Sequence, residues 1–395
     1  MNKKIFLTII SVCYLAILSA QQLSPSAKVY LWTYAPGAAL YSSYGHDAIR
    51  IHDPEQSLNY IYNYGTFDDG TDNFYMKFAQ GRLNYTISAI RINSNQVYKS
   101  YVNRLGLYGK TIKENEIQLD SIQRQAVFDY LENNALPENR EYLYDFFFDN
   151  CATRVRDILV EVIDSNLQFG IPDVGEAQSF RDMHRTYMAG KPWAEFGIDF
   201  LLGAKSDRIA TPEERMYIPQ EMYRTFKVST INQNGELIPL VGEDSIISES
   251  APLDLSENFW TSPLLVFWVV FGLILFYTVK TWESVSNRFD KFWFILMGIL
   301  GLVIFLMWFA TDHRVMVNNW NLLWLNPTYL LAAFALYSSN ARKSWLPTYF
   351  KIVFGLVTLT LAGWLIIPQS FHPAFMPLML TIILRSYYQI KKSRQ

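Results

Sequence analysis

Cysteine is nearly absent from this sequence: its 395 residues hold two, at positions 13 and 151. Residues 1–20, MNKKIFLTIISVCYLAILSA, read as a secretory signal, with a lysine pair, an apolar core and small residues at its end. Removal after Ala20 takes Cys13 with it and leaves Cys151 alone. That excludes an intramolecular disulfide, although an exported domain meets an oxidising compartment. A single exported thiol is half of an intermolecular bridge, an inert buried group or a reactive one. Charge of one sign is lacking too, since 34 Lys and Arg stand against 36 Asp and Glu for a net charge of −2. A near-neutral chain without a basic patch excludes a nucleic-acid interface. There is no phosphate-binding glycine loop, no internal repeat and no low-complexity tract. Neither a metal nor another cofactor is expected.

Apolar and aromatic side chains are abundant, 50% and 16% of the chain, and unevenly spread. Residues 22–258 mix charge, Pro, Gly and Asn as a soluble domain does, whereas apolar runs dominate 259–395. Five of these runs, about 262–279, 292–311, 320–338, 350–367 and 371–388, approach the roughly 20 residues that cross a bilayer. The last is interrupted by Pro373 and Pro377. Basic residues collect after the first run (Lys280, Arg288, Lys291), after the third (Arg342, Lys343, Lys351) and in the tail (Arg385, Lys391, Lys392, Arg394). Those segments are expected in the cytoplasm and the C-terminus with them. Residues 22–258 then face outward, as the signal also requires. The polar stretch 248–258 is the expected linker.

In the outer domain, side-chain character alternates with period two over 28–33, 46–52, 58–64 and 84–92, as in strands. A further strand is expected around 116–119. Asp120 is positioned to cap a helix over 121–134 that presents Ile122, Ala126 and Tyr130. Residues 142–148 read as a buried strand, and Asp149 or Asn150 as the cap of a helix carrying Val155, Ile158, Leu159 and Val162. Asn234-Gly235 marks a hairpin turn.

Cys151 thus opens a helix, where amides and the helix dipole favour thiolate. A nucleophilic thiol needs a base and an oxyanion site, for which its own backbone amide is a candidate. The base is sought among His46, His52 and His184. His46 follows a glycine and opens a strand that also carries His52 on the same face, while His184 reads as a surface residue of a charged helix.

A histidine at a strand start followed much later by an Asn-Cys opening a helix resembles the circularly permuted papain-like fold of lecithin retinol acyltransferase and its relatives. YGHDAIRI, YNYGTFDDGTDNFYMKFAQGRLNY, YDFFFDNCATRVRDIL and DHRVMVNNWNLLWLNP resemble motifs of the Lnb family, the lipoprotein N-acyltransferases of Bacteroidetes-type bacteria. The resemblance implies an α+β architecture: a permuted papain-like outer domain at 22–258, followed by a helical membrane domain of five transmembrane helices at 259–395. It implies Cys151 as acyl-accepting nucleophile and His46 as base, in the periplasm and on the inner membrane of a bacterium. His52, Asn59 and Asn63 stand as candidates for an orienting member. Substrate contacts are expected from Tyr44, Tyr64, Asn150 and Arg154, and from His313, Asn319 and Asn321 in an outward loop. The partners implied are a phospholipid acyl donor and a diacylglyceryl-lipoprotein acceptor. Tyr85 and Phe146 to Phe148 read as core. A cell-wall cysteine peptidase of the NlpC type and a non-catalytic membrane assembly factor are the competing readings. A fragment of about 22–258 is expected to fold alone.

Overall fold

The computed structural model describes residues 21–107, 111–173, 175–250, 259–280, 287–337 and 344–392. The signal at 1–20 and most of the linker, 251–258, lie outside them. The chain is mixed α/β, with a sheet-rich N-terminal part and a helical C-terminal part. It forms two compact units. The first holds residues up to 69, 84–173 and 212–253, and the second 70–83, 174–211 and 254–395. Two stretches of the outer sequence therefore fold with the helical part.

The first unit is built on a seven-stranded antiparallel sheet. Its strands are β1 (Lys28–Tyr34), β2 (His46–Asp53), β3 (Leu58–Thr66), β4 (Asn84–Arg91), β5 (Ile112–Ile117), β6 (Glu141–Leu143) and, after three others, β10 (Val241–Ser248). Their spatial order is β10-β5-β1-β2-β3-β4-β6. Because successive side chains alternate, Val29, Leu31, Ile49, Ile51 and Tyr62 face one core, and Trp32, Tyr34, Ala48 and Ile61 the other. The first core is closed by α1 (Ser121–Ala135) and α2 (Cys151–Ile163), the second by helix Asn95–Leu107 through Tyr101 and Val102. A small sheet of β7 (Leu167–Gln168), β8 (Thr230–Gln233) and β9 (Glu236–Pro239) completes the unit, its hairpin turning on Asn234 and Gly235, both at positive φ.

Four expectations need correction here. α1 is capped by Asp120 as expected, but it buries Val127, Phe128 and Leu131, leaving Ile122 79% exposed. The strand expected at 116–119 starts earlier, because the polar residues of β5 are paired. Glu114 accepts from Trp32 Nε1 at 2.5 Å and from Arg50 at 2.7 Å, and Asn115 Nδ2 donates to Asp244 at 2.8 Å. Residues 142–148 are not one buried strand: β6 is short, and Asp145 then folds the chain back by accepting from the amides of Phe147 and Phe148. His184 is not a surface residue; it is fully buried in α3 (Phe180–Met188) with Nε2 3.4 Å from the Glu195 carbonyl, and burial lowers its pKa.

In the second unit, α3 and α4 (Pro192–Leu201) accompany α5 (Pro263–Lys280), α6 (Asn287–Phe309), α7 (Tyr329–Tyr337), α8 (Leu346–Ala362) and α9 (Phe375–Lys392). α5 and α6 are long and apolar enough to cross a membrane. They also leave large apolar residues exposed, Leu273, Phe276 and Val279 on α5 and Phe305 and Phe309 on α6. A water-facing helix does not do this. Of the run expected at 320–338, only α7 is α-helical among the described residues. Asn319 caps a single 3₁₀ turn, Trp320–Leu323, and the helix resumes after Pro327. Pro377 sits in the first turn of α9, where a missing amide costs little. Gly301 lets the chain before α7 lie on α6, since a Cβ there would stand 2.5 Å from the Leu325 carbonyl oxygen, and Gly298 lets Leu330 of α7 do the same. Arg385 is fully buried with Asp290, Nε and Nη2 donating at 2.5 and 2.8 Å. It belongs to an internal ion pair rather than to a basic tail.

Candidate active site

Cys151 is the first residue of α2 because Asn150 fixes the helix start. The Asn150 side-chain oxygen accepts from the amides of Ala152 and Thr153, both at 2.9 Å, and the Thr153 hydroxyl accepts from the Asn150 amide at 2.7 Å. Its Nδ2 donates to the carbonyls of Phe146 and Tyr217 at 2.9 and 2.7 Å. The amide group is saturated by these bonds. Asn150 therefore positions the thiol, and the substrate contact expected of it is replaced by a cap. Cys151 is buried, at 9% exposure, within the core that α2 shares with β2 and β3.

β3 comes to the thiol through a bulge between Asn63 and Thr66. Gly65 lies in it at φ +88, and a Cβ there would stand 3.9 Å from Cys151 Cβ and 3.8 Å from the Tyr144 ring. Only glycine takes this conformation without strain, and bulges recur beside active sites because they re-aim side chains. The β2–β3 register sets Ile49 opposite Tyr62. Carried two residues on, it brings the start of β2 level with the bulge.

That start holds His46 and Asp47. His46 Nε2 lies 3.3 Å from Asn63 Oδ1. An amide oxygen only accepts, so Nε2 is the donor in this contact. The ring also rests 5.3 Å, centroid to centroid, from Tyr34. Asp47 has no exposed surface; Thr33 donates to its Oδ1 at 2.9 Å, and Oδ2 has no partner among the described residues. Burial, then the nearby Cys151, pushes its pKa well above the carboxylate range, while Thr33 and His46 oppose this. Asp47 thus lies within electrostatic range of both the thiol and the imidazole, in surroundings that disfavour its charged form. The sequence reading missed it. In an alternating strand an Asp beside a His passes for an outward polar residue, and the hidden signal was that position 47 shares the parity of buried Ile49 and Ile51.

Of the other candidates, Asn59 belongs elsewhere, since its Oδ1 accepts from Arg50 at 2.9 Å. His52 is opposite Asn59, six residues along β2 from His46, and burial and Arg50 lower its pKa. At about 3.3 Å per strand residue this is roughly 20 Å away. Neither orients His46, whereas Asn63 touches it. Tyr64 is buried, with its hydroxyl lacking a partner among the described residues. Tyr44 packs edge-on against Phe146 at 4.6 Å. Arg154 does not await a phosphate: it forms a two-pronged pair with Asp149, and its guanidinium lies 4.1 Å from the centre of the Tyr142 ring. Of the residues read as core, Phe147 is buried, and Tyr85 stacks on Tyr144 at 4.4 Å. Asp47 Oδ2, Asn63 Nδ2 and Tyr64 OH are three buried polar atoms without protein partners at neighbouring strand positions. Folded chains satisfy most such atoms; Asp47 and Tyr64 point to the face that carries Cys151, and Asn63 to the face that carries His46.

His313, Asn319 and Asn321 fall in the second unit, where both asparagine side chains are engaged. Asn319 Nδ2 donates to the carbonyls of Phe200 and Leu201, both at 3.1 Å, and Asn321 Nδ2 to Phe200 at 3.2 Å. Asn319 Oδ1 accepts from the Asn321 amide at 3.0 Å, and Asn321 Oδ1 from Trp324 Nε1 at 2.9 Å. These amides close the C-terminal end of α4, whose last carbonyls lack helical partners. The His313 ring packs on Gly81. The loop that carries them holds segments 70–83 and 175–211. Among the described residues no three His, Cys, Asp or Glu side chains converge as metal ligands.

Residues 18–185 match the Lnb N-terminal periplasmic domain, and residues 255–395 match the Lnb transmembrane domain. No curated protein and no solved structure matches the chain. The protein is a bacterial membrane protein whose N-terminal domain is periplasmic.

Proposed function

The chain belongs to the Lnb family, and on that premise we propose that it is a lipoprotein N-acyltransferase working through a thioester on Cys151. The acyl donor is a membrane phospholipid and the acceptor is the N-terminal amine of a diacylglyceryl-lipoprotein. His46 Nδ1 takes the proton of Cys151, and the thiolate attacks an ester carbonyl of the phospholipid. The carbon–oxygen bond breaks, the imidazolium protonates the departing glycerol oxygen, and a lysophospholipid leaves. The lipoprotein amine then attacks the thioester, its proton passes to His46, and the carbon–sulfur bond breaks to give an amide and free Cys151. Asn63 keeps the imidazole in the tautomer this needs. The observation that carries the reading is that Asp47 lies within electrostatic range of both the thiol at a helix start and the imidazole that Asn63 contacts at 3.3 Å. The permuted papain-like architecture, five spans and a cytoplasmic C-terminus on the inner membrane are parts of the same proposal. Mass spectrometry of lipoprotein N-termini tests it: cells lacking this protein should accumulate free α-amines. Unchanged triacylation, in a strain with no second such enzyme, would overturn it.

Asp47 is given the task of donating a hydrogen bond from its protonated oxygen to negative charge at the thiol or the oxyanion. Asp47→Asn should lower thioester formation by roughly tenfold or more, the worth of one bond to a charged group. Its stability should move the other way. A carboxyl whose folded pKa is raised contributes stability below its unfolded pKa and loses it as pH rises through the folded one. The Asn variant should therefore be at least as resistant to denaturant as the parent at pH 8, with an advantage that grows with pH. A large loss of stability at pH 8 would mean that Asp47 is ionised and paired.

A further inference from the structure

Helix Phe74–Gln80 has no core of its own. Its sequence is FYMKFAQ, none of its residues is buried, and Asn73 gives it no side-chain cap. Tyr75, Met76 and Phe78 are 85%, 60% and 55% exposed. Isolated helices shorter than about 12–15 residues are marginal in water, and a contiguous aromatic surface left wet is a cost. This face is open to the protein's surroundings.

The way the helix is moored says what those are. The Gln80 carbonyl accepts from the Asp312 amide at 2.9 Å, and Arg82 Nε pairs with Asp312 at 2.6 Å. Gly81, at φ +69, would place a Cβ only 3.2 Å from the His313 ring. Asp312 and His313 follow closely on Phe309, the last residue of α6. α6 lies in the matched transmembrane domain and is long and apolar enough to span. The mooring therefore fixes the short helix at the depth where a spanning helix leaves the hydrocarbon. The side is fixed as well, since residues 70–83 belong to the matched periplasmic domain. Aromatic and sulfur side chains with one lysine, Lys77, are the composition of a helix lying among headgroups.

We propose that Phe74–Gln80 lies in the periplasmic interface of the bilayer, with Tyr75, Met76 and Phe78 immersed at the boundary between lipid glycerol and acyl chains. The occupant of this surface is lipid and not a second protein. The full-length chain in phosphatidylethanolamine–phosphatidylglycerol nanodiscs provides the test, with a nitroxide on Tyr75→Cys, Met76→Cys or Phe78→Cys in a Cys13→Ala, Cys151→Ser background. At these three positions collisions with oxygen should exceed those with a water-soluble nickel complex. At Asp72→Cys the order should reverse. A nickel-accessible profile at all three, equal to that at position 72, overturns the proposal, whether the face is bare or kept for a protein. The unsubstituted chain gives an independent reading: a phospholipid bearing a diazirine near its glycerol should label the peptide containing 74–80. Labelling of α6 without that peptide overturns it equally. Both readouts are blind to acyl transfer, so the two proposals fail separately.

Discussion

The Cys151→Ser protein is expected to fold as the parent does and to lose acyl transfer by more than about 10⁴-fold, on the scale seen when a catalytic nucleophile is removed. Folding should survive because one atom changes inside a helix start that Asn150 holds with four side-chain hydrogen bonds. Chemistry should not survive. An alcohol needs a base strengthened by a buried anion, whereas His46 is oriented by a neutral amide, and burial disfavours the charged form of its acidic neighbour Asp47. Such a site suits a thiol, which ionises readily, and not a hydroxyl. Intact-protein mass spectrometry after exposure to phospholipid should show one acyl chain on the parent and none on the variant. Full transfer by the serine protein would remove Cys151 from the mechanism.

A second large effect is expected far from the thiol. Arg181 has no exposed surface, and it spends its guanidinium on Asp199 at 2.6 Å, on Asp207 at 2.8 and 3.0 Å, and on the carbonyls of Asp199, Leu202 and Gly203. Arg181→Met should destabilise the protein by about 3–5 kcal/mol, because it leaves buried carboxylates uncompensated. The pH dependence separates this cause from lost packing. Burial pushes Asp199 up, but Arg181 and Arg185 outweigh it and hold the carboxyl below its usual range. Stability from a depressed carboxyl is present above its unfolded pKa and lost as pH falls through the folded one. The parent should weaken in acid, while the variant is relieved as its stranded carboxylates protonate. The gap in denaturation midpoint should narrow between pH 7 and about 4. A constant gap would assign the loss to packing alone.

Local signals in the sequence are legible where one element decides its own conformation. Period-two alternation locates β1 to β4, Asp120 and Asn150 mark helix starts, and Asn234-Gly235 marks a turn. Cys151 at a helix start and His46 at a strand start followed from the same signals. What escaped depends on partners distant in sequence. The start of β5 depends on Arg50 and Trp32 meeting Glu114, and the burial of His184 on the cover that α4 gives it. Asp47 and the choice of Asn63 over His52 and Asn59 required the strand register. The employment of Asn319 and Asn321 could not be seen at all, because their partners lie 118 to 121 residues away.

Those distances set a timetable for the growing chain. Segment 174–211 is threaded past a spot where Gly203 leaves no room for a side chain, since a Cβ there would lie 2.0 Å from the Val317 carbonyl oxygen. Arg185 waits for Ser370, and Glu195 for His372. During export these residues emerge before the helices that will hold them, so the outer sequence cannot be finished on its own side of the membrane while the rest is still being inserted. A fragment ending near 258 would keep the sheet and the thiol but leave α3 and α4 with ionic and aromatic faces bare, a ready substrate for periplasmic proteases. The helices that come last in the chain therefore supply the partners that α3 and α4 need.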